Sequence, residues 1–200
     1  MSNGLRKDAI KGIFCLEGDW EKDLRGTRSV WHLLRFIQDA LDIPFIHRHV
    51  ATRTELEYRL RLWKQKTYRD YPILSLNFHG DPDYIWLPET KDIGEALTLD
   101  ELAELLEDGC EGRIIHFGTC STLKTHGNHI NAFLKRTDAL AVCGYTTDIL
   151  WLGSAALDLL LFGKLQERAF NRAGMRMVHR DLKHEAAVLM ETLGFRMKVR

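Results

Sequence analysis

The stretch Tyr71-Pro72-Ile73-Leu74-Ser75-Leu76-Asn77-Phe78, stopped at once by His79-Gly80, decides how this chain is read. The apolar run is too short for a buried helix, follows a proline and ends at a glycine, so it reads as a strand covered on both faces. Upstream, Gly12 to Leu16 is a similar run. Between the two, Ser29 to Leu41 places Val30, Leu33, Leu34, Ile37 and Leu41 at helical spacing, with Thr27 or Ser29 as cap. Pro44 to Val50 reads as an alternating strand. Thr54 to Tyr68 reads as a charged helix with Leu56, Leu60, Leu62 and Trp63 inward.

Downstream, Asp81-Pro82-Asp83 is a turn signal and Tyr84 to Leu87 a short hairpin arm. Thr98 to Glu107 opens with the capping box Thr98-x-x-Glu101. Gly112 to Gly118 is a fourth strand that ends at Thr119-Cys120, and Ala139 to Tyr145 is a fifth. Helices are expected at Ile130 to Arg136, Ser154 to Leu165 and about Asp181 to Leu193, the last after a polar segment. An edge strand is expected at Phe195 to Val199. This alternation predicts one α/β domain over residues 1–200, a three-layer sandwich. Its central sheet has about six mostly parallel strands with helices on both faces. The core spans about 10–165, and the C-terminal helix and edge strand about 175–200.

With 45% apolar residues the chain can build a sizeable core, which excludes a disordered tail or low-complexity scaffold. Lys plus Arg and Asp plus Glu both number 28, so there is no basic excess of the kind a dedicated DNA or membrane-surface binder carries. Met1 to Gly12 lacks the apolar core of a signal peptide. Ile149 to Gly163 carries Asp158 and is too short to span a bilayer. A cytoplasmic protein is expected, with its four cysteines reduced.

In an open parallel sheet, ligands bind beyond the carboxyl ends of the strands. His79 ends the third strand and Cys120 the fourth. An imidazole beside a thiol can take its proton, and the thiolate can attack a carbonyl. Gly80 lets its backbone N–H come close to a substrate oxygen, and the N–H of Cys120 is a second donor for such an oxyanion hole. Gly118 leaves room beside the nucleophile. Cys15 and Cys143 read as core residues, and Cys110, in a polar turn, as an exposed incidental thiol. His116 shares a strand face with Cys120. His126 and His129 with Cys120 form a candidate zinc arrangement, without a fourth ligand. His47, His49, His179 and His184 read as structural or surface residues. No dinucleotide or phosphate-binding glycine motif occurs. No cofactor or metal is expected.

A strand ending in His-Gly, then forty-one residues on a strand ending in a small residue and Cys, resembles the caspase-like (clan CD) cysteine peptidases. Leu97-Thr98-Leu99-Asp100-Glu101-Leu102 resembles the segment before the Cys strand in their bacterial CHAT branch. Ala141-Val142-Cys143-Gly144-Tyr145 with Trp151 resembles the strand and helix after the Cys. The resemblance covers about residues 10 to 165. It implies an endopeptidase with Cys120 as nucleophile, His79 as general base, and the Gly80 and Cys120 N–H groups as oxyanion donors. It also implies a protein substrate, control by a regulatory partner protein, and a place among immunity or cell-death effectors. Neither nucleic acid nor membrane is an expected partner. In such a fold the loop Glu17 to Ser29 and the loop after the fifth strand lie beside the cleft. Asp19 and Asp148 are then the choices for a pocket taking a basic side chain, with Trp151 beside it. Gly118-Thr119 precedes Cys120 in place of the Gln-Ala of animal caspases, and Ser121-Thr122 stands after it in place of Arg-Gly. An Asp-selective pocket is therefore not expected. A caspase-like module that binds a partner without catalysis is the alternative, and a flavodoxin-like ligand-binding domain is a third reading.

Overall fold

The structure, a computed structural model, describes residues 10–23, 25–93 and 95–200. Most of the stretch Met1 to Gly12, read above for a signal peptide, lies outside the described residues. The strands are β1 (Ile13–Glu17), β2 (Phe45–His49), β3 (Ile73–Asn77), β4 (His79–Asp81), β5 (Tyr84–Trp86), β6 (Leu97–Thr98), β7 (Ile114–Phe117), β8 (Ala141–Tyr145) and β9 (Phe195–Val199). The helices are α1 (Trp31–Leu41), α2 (Arg53–Trp63), α3 (Leu99–Leu105), α4 (Gly127–Thr137), α5 (Trp151–Glu167), α6 (Arg172–Glu185) and α7 (Ala187–Thr192).

Six strands form one sheet in the order β2-β1-β3-β7-β8-β9, parallel throughout except for the antiparallel edge strand β9. Every residue of β1, β3, β7 and β8 is buried, as expected of strands covered on both sides. On one face Leu74, Leu76, Ile115 and Phe117 pack with Leu60 and Trp63 of α2, Leu102 of α3 and Phe133 of α4. On the other, Ile13, Ile73, Ile114 and Tyr145 pack with Ile37 of α1, Leu161 of α5, Val178 of α6 and Met190 of α7. This is the three-layer α/β sandwich that the alternation predicts.

The differences from the sequence reading have local causes. Thr52, not a residue inside the helix, starts α2: its hydroxyl accepts from Glu55 N while the Glu55 carboxylate takes the Thr52 N–H. The helix stops at Trp63, and residues 66–68 form a single 3₁₀ turn. The segment after α5, read as polar connection, is helical from Arg172. Asn171 caps it, accepting from Gly174 N at 2.8 Å, and its inner face carries Met175, Val178 and Leu182. The helix then breaks at Ala186, so α6 and α7 are separate. Asp81-Pro82-Asp83 does turn the chain, but the arm is a three-stranded sheet, β4-β5-β6, rather than a lone hairpin. No helix among the described residues is long and apolar enough to cross a membrane.

From β1 the chain first crosses out to β2 and then returns past β1 to β3, so the sheet order reverses there. A crevice opens at such a switch point, beyond the carboxyl ends of the strands.

Candidate functional site

The register pairs Leu76 with Phe117, so the chain beyond β3 and the chain beyond β7 leave the sheet side by side. His79 lies three residues past Leu76, and Cys120 three past Phe117. The two turns touch. A Cβ placed on Gly80 would fall 2.6 Å from the Cys120 carbonyl oxygen, 2.3 Å from Thr122 Oγ1 and 2.9 Å from Thr119 Cβ. Only glycine fits there, which is the physical reason for the His-Gly pair.

His79 and Cys120 line one cleft of about 950 Å³. Its walls come from the loop after β1, through Trp20 and Arg28, and from the start of α5, through Leu150 and Trp151. The Trp20 indole packs edge-on against both His79 (5.5 Å between ring centres) and Trp151 (5.2 Å).

The Trp20 carbonyl oxygen is 3.1 Å from Nε2 of His79. A carbonyl only accepts, so Nε2 carries the proton and Nδ1 of the neutral ring holds the free lone pair. Fixing the tautomer in this way leaves the imidazole ready to act as a base. Cys120 is half-buried, and the other three thiols are fully buried. Burial pushes the Cys110 thiol up to about 12, and raises Cys15 and Cys143 as well, with Asp158 adding to the rise at both. Cys110 is therefore not the exposed thiol that its polar turn suggests. Its polar neighbours face solvent while its own side chain packs inward, with Sγ 3.5 Å from the Leu106 carbonyl.

The turn that carries Cys120 is held in an unusual shape. Ser121, a non-glycine residue, has φ 52°, in the left-handed region. Ser121 N donates to Thr147 O at 3.0 Å, and Ser121 Oγ to Asp148 Oδ1 at 2.9 Å. Thr122 Oγ1 donates to Tyr84 O at 2.9 Å. Strain of this kind persists only where the surroundings over-determine it. Among the described residues no acceptor takes the Cys120 N–H. In an antiparallel ladder only alternate pairs exchange hydrogen bonds. The two-residue turn closes at Asp81 and Tyr84, so Gly80 sits in the non-exchanging pair with Ile85. The Cys120 N–H thus has no acceptor among the described residues, and the ladder pairing leaves the Gly80 N–H unused across β4–β5.

Glu17 anchors the wall. It is fully buried at the end of β1 and accepts from Trp20 Nε1 (2.5 Å), Ser29 Oγ (2.6 Å) and Val30 N (2.7 Å), and it pairs with His47 Nε2 at 2.5 Å. Burial opposes its ionisation, but bonds from His47, Ser29, Trp20 and Val30 more than offset this, and the carboxyl is held below its ordinary value of 4.5. A lowered folded value means the stabilisation is fully present above pH 4.5 and is lost as the pH falls toward the folded value. Urea midpoints of wild type and Glu17→Gln should therefore differ most at neutral pH and converge as the pH falls below 4.5 and through the lowered folded value. A pH-independent difference would refute this role.

Beneath the cleft lies a buried polar row that the sequence did not reveal. Cys15, Ser75, His116 and Cys143 are register neighbours across four strands. Asn77 Nδ2 donates to Ser75 Oγ (2.9 Å) and Cys15 Sγ (3.3 Å), and Ser75 Oγ is 3.1 Å from His116 Nδ1. His116 Nε2 lies 3.0 Å from Asp158 Oδ1, close but without hydrogen-bond alignment, and the Tyr145 hydroxyl donates to the same oxygen at 2.5 Å. Asp158 reaches the cleft lining from α5 together with Asn77 and Gly118.

Trp151 lines the cleft as expected, but Asp19 and Asp148 do not. Asp19 faces His49 on the far side of the loop, and Asp148 is held by Ser121. The acid that does reach the cleft is Asp158, and its one sequence signal is a charge inside an otherwise apolar helix. Trp20 acts through a main-chain carbonyl, which no sequence pattern marks. The Cys120/His126/His129 grouping does not form a ligand cluster among the described residues, where the one such cluster is Glu17, His47 and His49.

Fold and site together define a three-layer α/β protein with a thiol–imidazole cleft at the switch point of its sheet. The chain belongs to the DUF6642 family, a family of unknown function whose model matches residues 10–198. No curated protein matches its sequence.

Proposed function

We propose that the protein is a cysteine endopeptidase acting through Cys120 and His79, with a caspase-like arrangement of its site. The observation that supports this reading is the backbone contact of Gly80 with the Cys120 turn, which brings the turn carrying an imidazole of fixed tautomer against the turn carrying a half-buried thiol at one cleft. The apolar rim at Leu150 and Trp151 suits a protein segment.

In this mechanism Nδ1 of His79 takes the Cys120 proton and Sγ attacks the scissile carbonyl. The negative charge on the tetrahedral oxygen is met by the N–H groups of Gly80 and Cys120. The protonated imidazole gives its proton to the departing amine, leaving a thioester on Cys120. Water, deprotonated by His79, then releases the acid and restores the thiol. The setting proposed is the cytoplasm, under control of a partner protein, in an immunity or cell-death response.

Native alkylation tests the reading. With iodoacetamide near neutral pH and mass-spectrometric site assignment, Cys120 should be modified at least about ten times faster in wild type than in His79→Ala, with Cys15, Cys110 and Cys143 protected. Equal Cys120 rates in the two proteins would mean that His79 does not activate the thiol, and would favour a module that only binds its partner.

A further inference from the structure

Glu17, His47 and His49 bring one ligand atom each to within 4.8 Å of one another. Their placement comes from the register. Glu17 is the partner of His49 across the parallel β1–β2 pair, and His47 lies two residues earlier, on the same side of its strand as His49. The two imidazoles meet edge to face at 5.2 Å. Glu17 is wholly buried, the His47 side chain is 10% exposed and that of His49 is 60% exposed, so the cluster is fixed at its base and open at its mouth.

The mouth is acidic. His49 lines a separate pocket of about 270 Å³ with Asp19, Glu21 and Asp23. Glu21 is paired with Arg28 and Asp23 with Arg25, whereas Asp19 faces His49, with Oδ1 3.9 Å from Nδ1. Two imidazoles and one buried carboxylate converge here, and the exposed Asp19 carboxylate beside His49 is the nearby fourth donor. Nitrogen and carboxylate donors of these kinds are ones zinc accepts.

We infer that Glu17, His47, His49 and Asp19 form a binding site for a zinc-class divalent cation, apart from the Cys120 cleft. Ligand atoms around tetrahedral zinc lie about 3.4 Å apart. His47 Nε2, now 2.5 Å from Glu17 Oε2, has to draw back by about 1 Å, and the exposed His49 and Asp19 side chains turn inward. Zinc takes the Nε2 lone pair, and the proton Nε2 donates to Glu17 moves to Nδ1 or leaves to solvent. Glu17 keeps Oε1 for Trp20 and Val30, which holds the loop, while the Ser29 hydroxyl now on Oε2 at 2.6 Å shifts to that oxygen's second lone pair or gives up the bond when Oε2 turns to the ion. Such a site is independent of whether Cys120 is catalytic.

The test uses chelator-treated full-length protein carrying Cys120→Ala, so that the half-buried thiol is absent. One equivalent of Co²⁺ should give the visible absorption of a tetrahedral site, and added Zn²⁺ should displace it. Zn²⁺ should also raise the thermal midpoint, because an ion that binds only the folded state stabilises it. His49→Ala, a change at an exposed side chain, should weaken binding at least about tenfold and remove the thermal shift, and Asp19→Asn should weaken it less. No stoichiometric binding, or binding unchanged in His49→Ala but lost in His126→Ala, would overturn the assignment.

Discussion

Cys120→Ala is expected to abolish cleavage of the protein's substrate, and His79→Ala to lower it by about 10³-fold or more, with the fold retained in both. The two effects are large for one reason: in the proposed mechanism thiol and imidazole act as a unit, and neither has a substitute among the described residues of the cleft. The other imidazole in the lining is His32, on α1, which belongs to neither of the two turns that meet at Gly80. The remaining thiols are buried and shifted away from thiolate, so none can replace Cys120. Combining the two substitutions should cost little more than Cys120→Ala alone, as expected for residues that function together. The measurement is a proteome-derived peptide library cleaved by wild type and read by mass spectrometry beside the three variants, with circular dichroism to verify folding. Cleavage products that persist unchanged in Cys120→Ala would rule out the peptidase reading.

The second large effect falls on a residue without a side chain. In Gly80→Ala the added methyl meets the Cys120 carbonyl, Thr119 Cβ and the Thr122 hydroxyl, all nearer than ordinary contact. Two of these neighbours are backbone or a Cβ and cannot rotate away, so the β4 end or the Cys120 turn has to move. Overpacking of this kind costs about 1–3 kcal/mol of stability. In the proposed mechanism the same displacement moves the Gly80 N–H away from the oxyanion, where loss of a donor typically lowers the rate about 10²- to 10³-fold. Gly109→Ala is the control. The three atoms nearest its methyl all belong to the Lys64 side chain, whose far end can turn aside, so its stability loss should be smaller than that of Gly80→Ala and its activity near wild type. If Gly80→Ala matches wild type in urea midpoint and in Cys120 alkylation rate, the two turns are not coupled as described.

The elements most legible in the sequence are those whose signal is local. β3, β7 and β8 are short apolar runs between breakers, and α3 begins at a capping box formed by Thr98 and Glu101. The start of α1 is less legible. Ser29 is a candidate cap for α1 in the sequence, yet the helix begins at Trp31 with Val30 in the cap position, and Ser29 Oγ accepts from Trp31 N while donating to Glu17. The choice between a local cap and a distant carboxylate depends on the packing of β1, which no local pattern reports.

For the site, the sequence by itself determined the chemistry on offer: a thiol and an imidazole just beyond two strands, each close to a glycine. That much is legible because strand ends and glycines are local features. Only the tertiary structure decided that β3 and β7 are neighbours, that Gly80 rests on the Cys120 carbonyl, and that a main-chain oxygen of Trp20 fixes the His79 tautomer. It also decided that Asp158 rather than Asp19 or Asp148 reaches the cleft, and that Glu17 meets His47 and His49 across a parallel pair. These contacts join residues far apart along the chain. They are set by strand order and register, and strand order is settled by how the whole sheet buries its two faces rather than by any one segment.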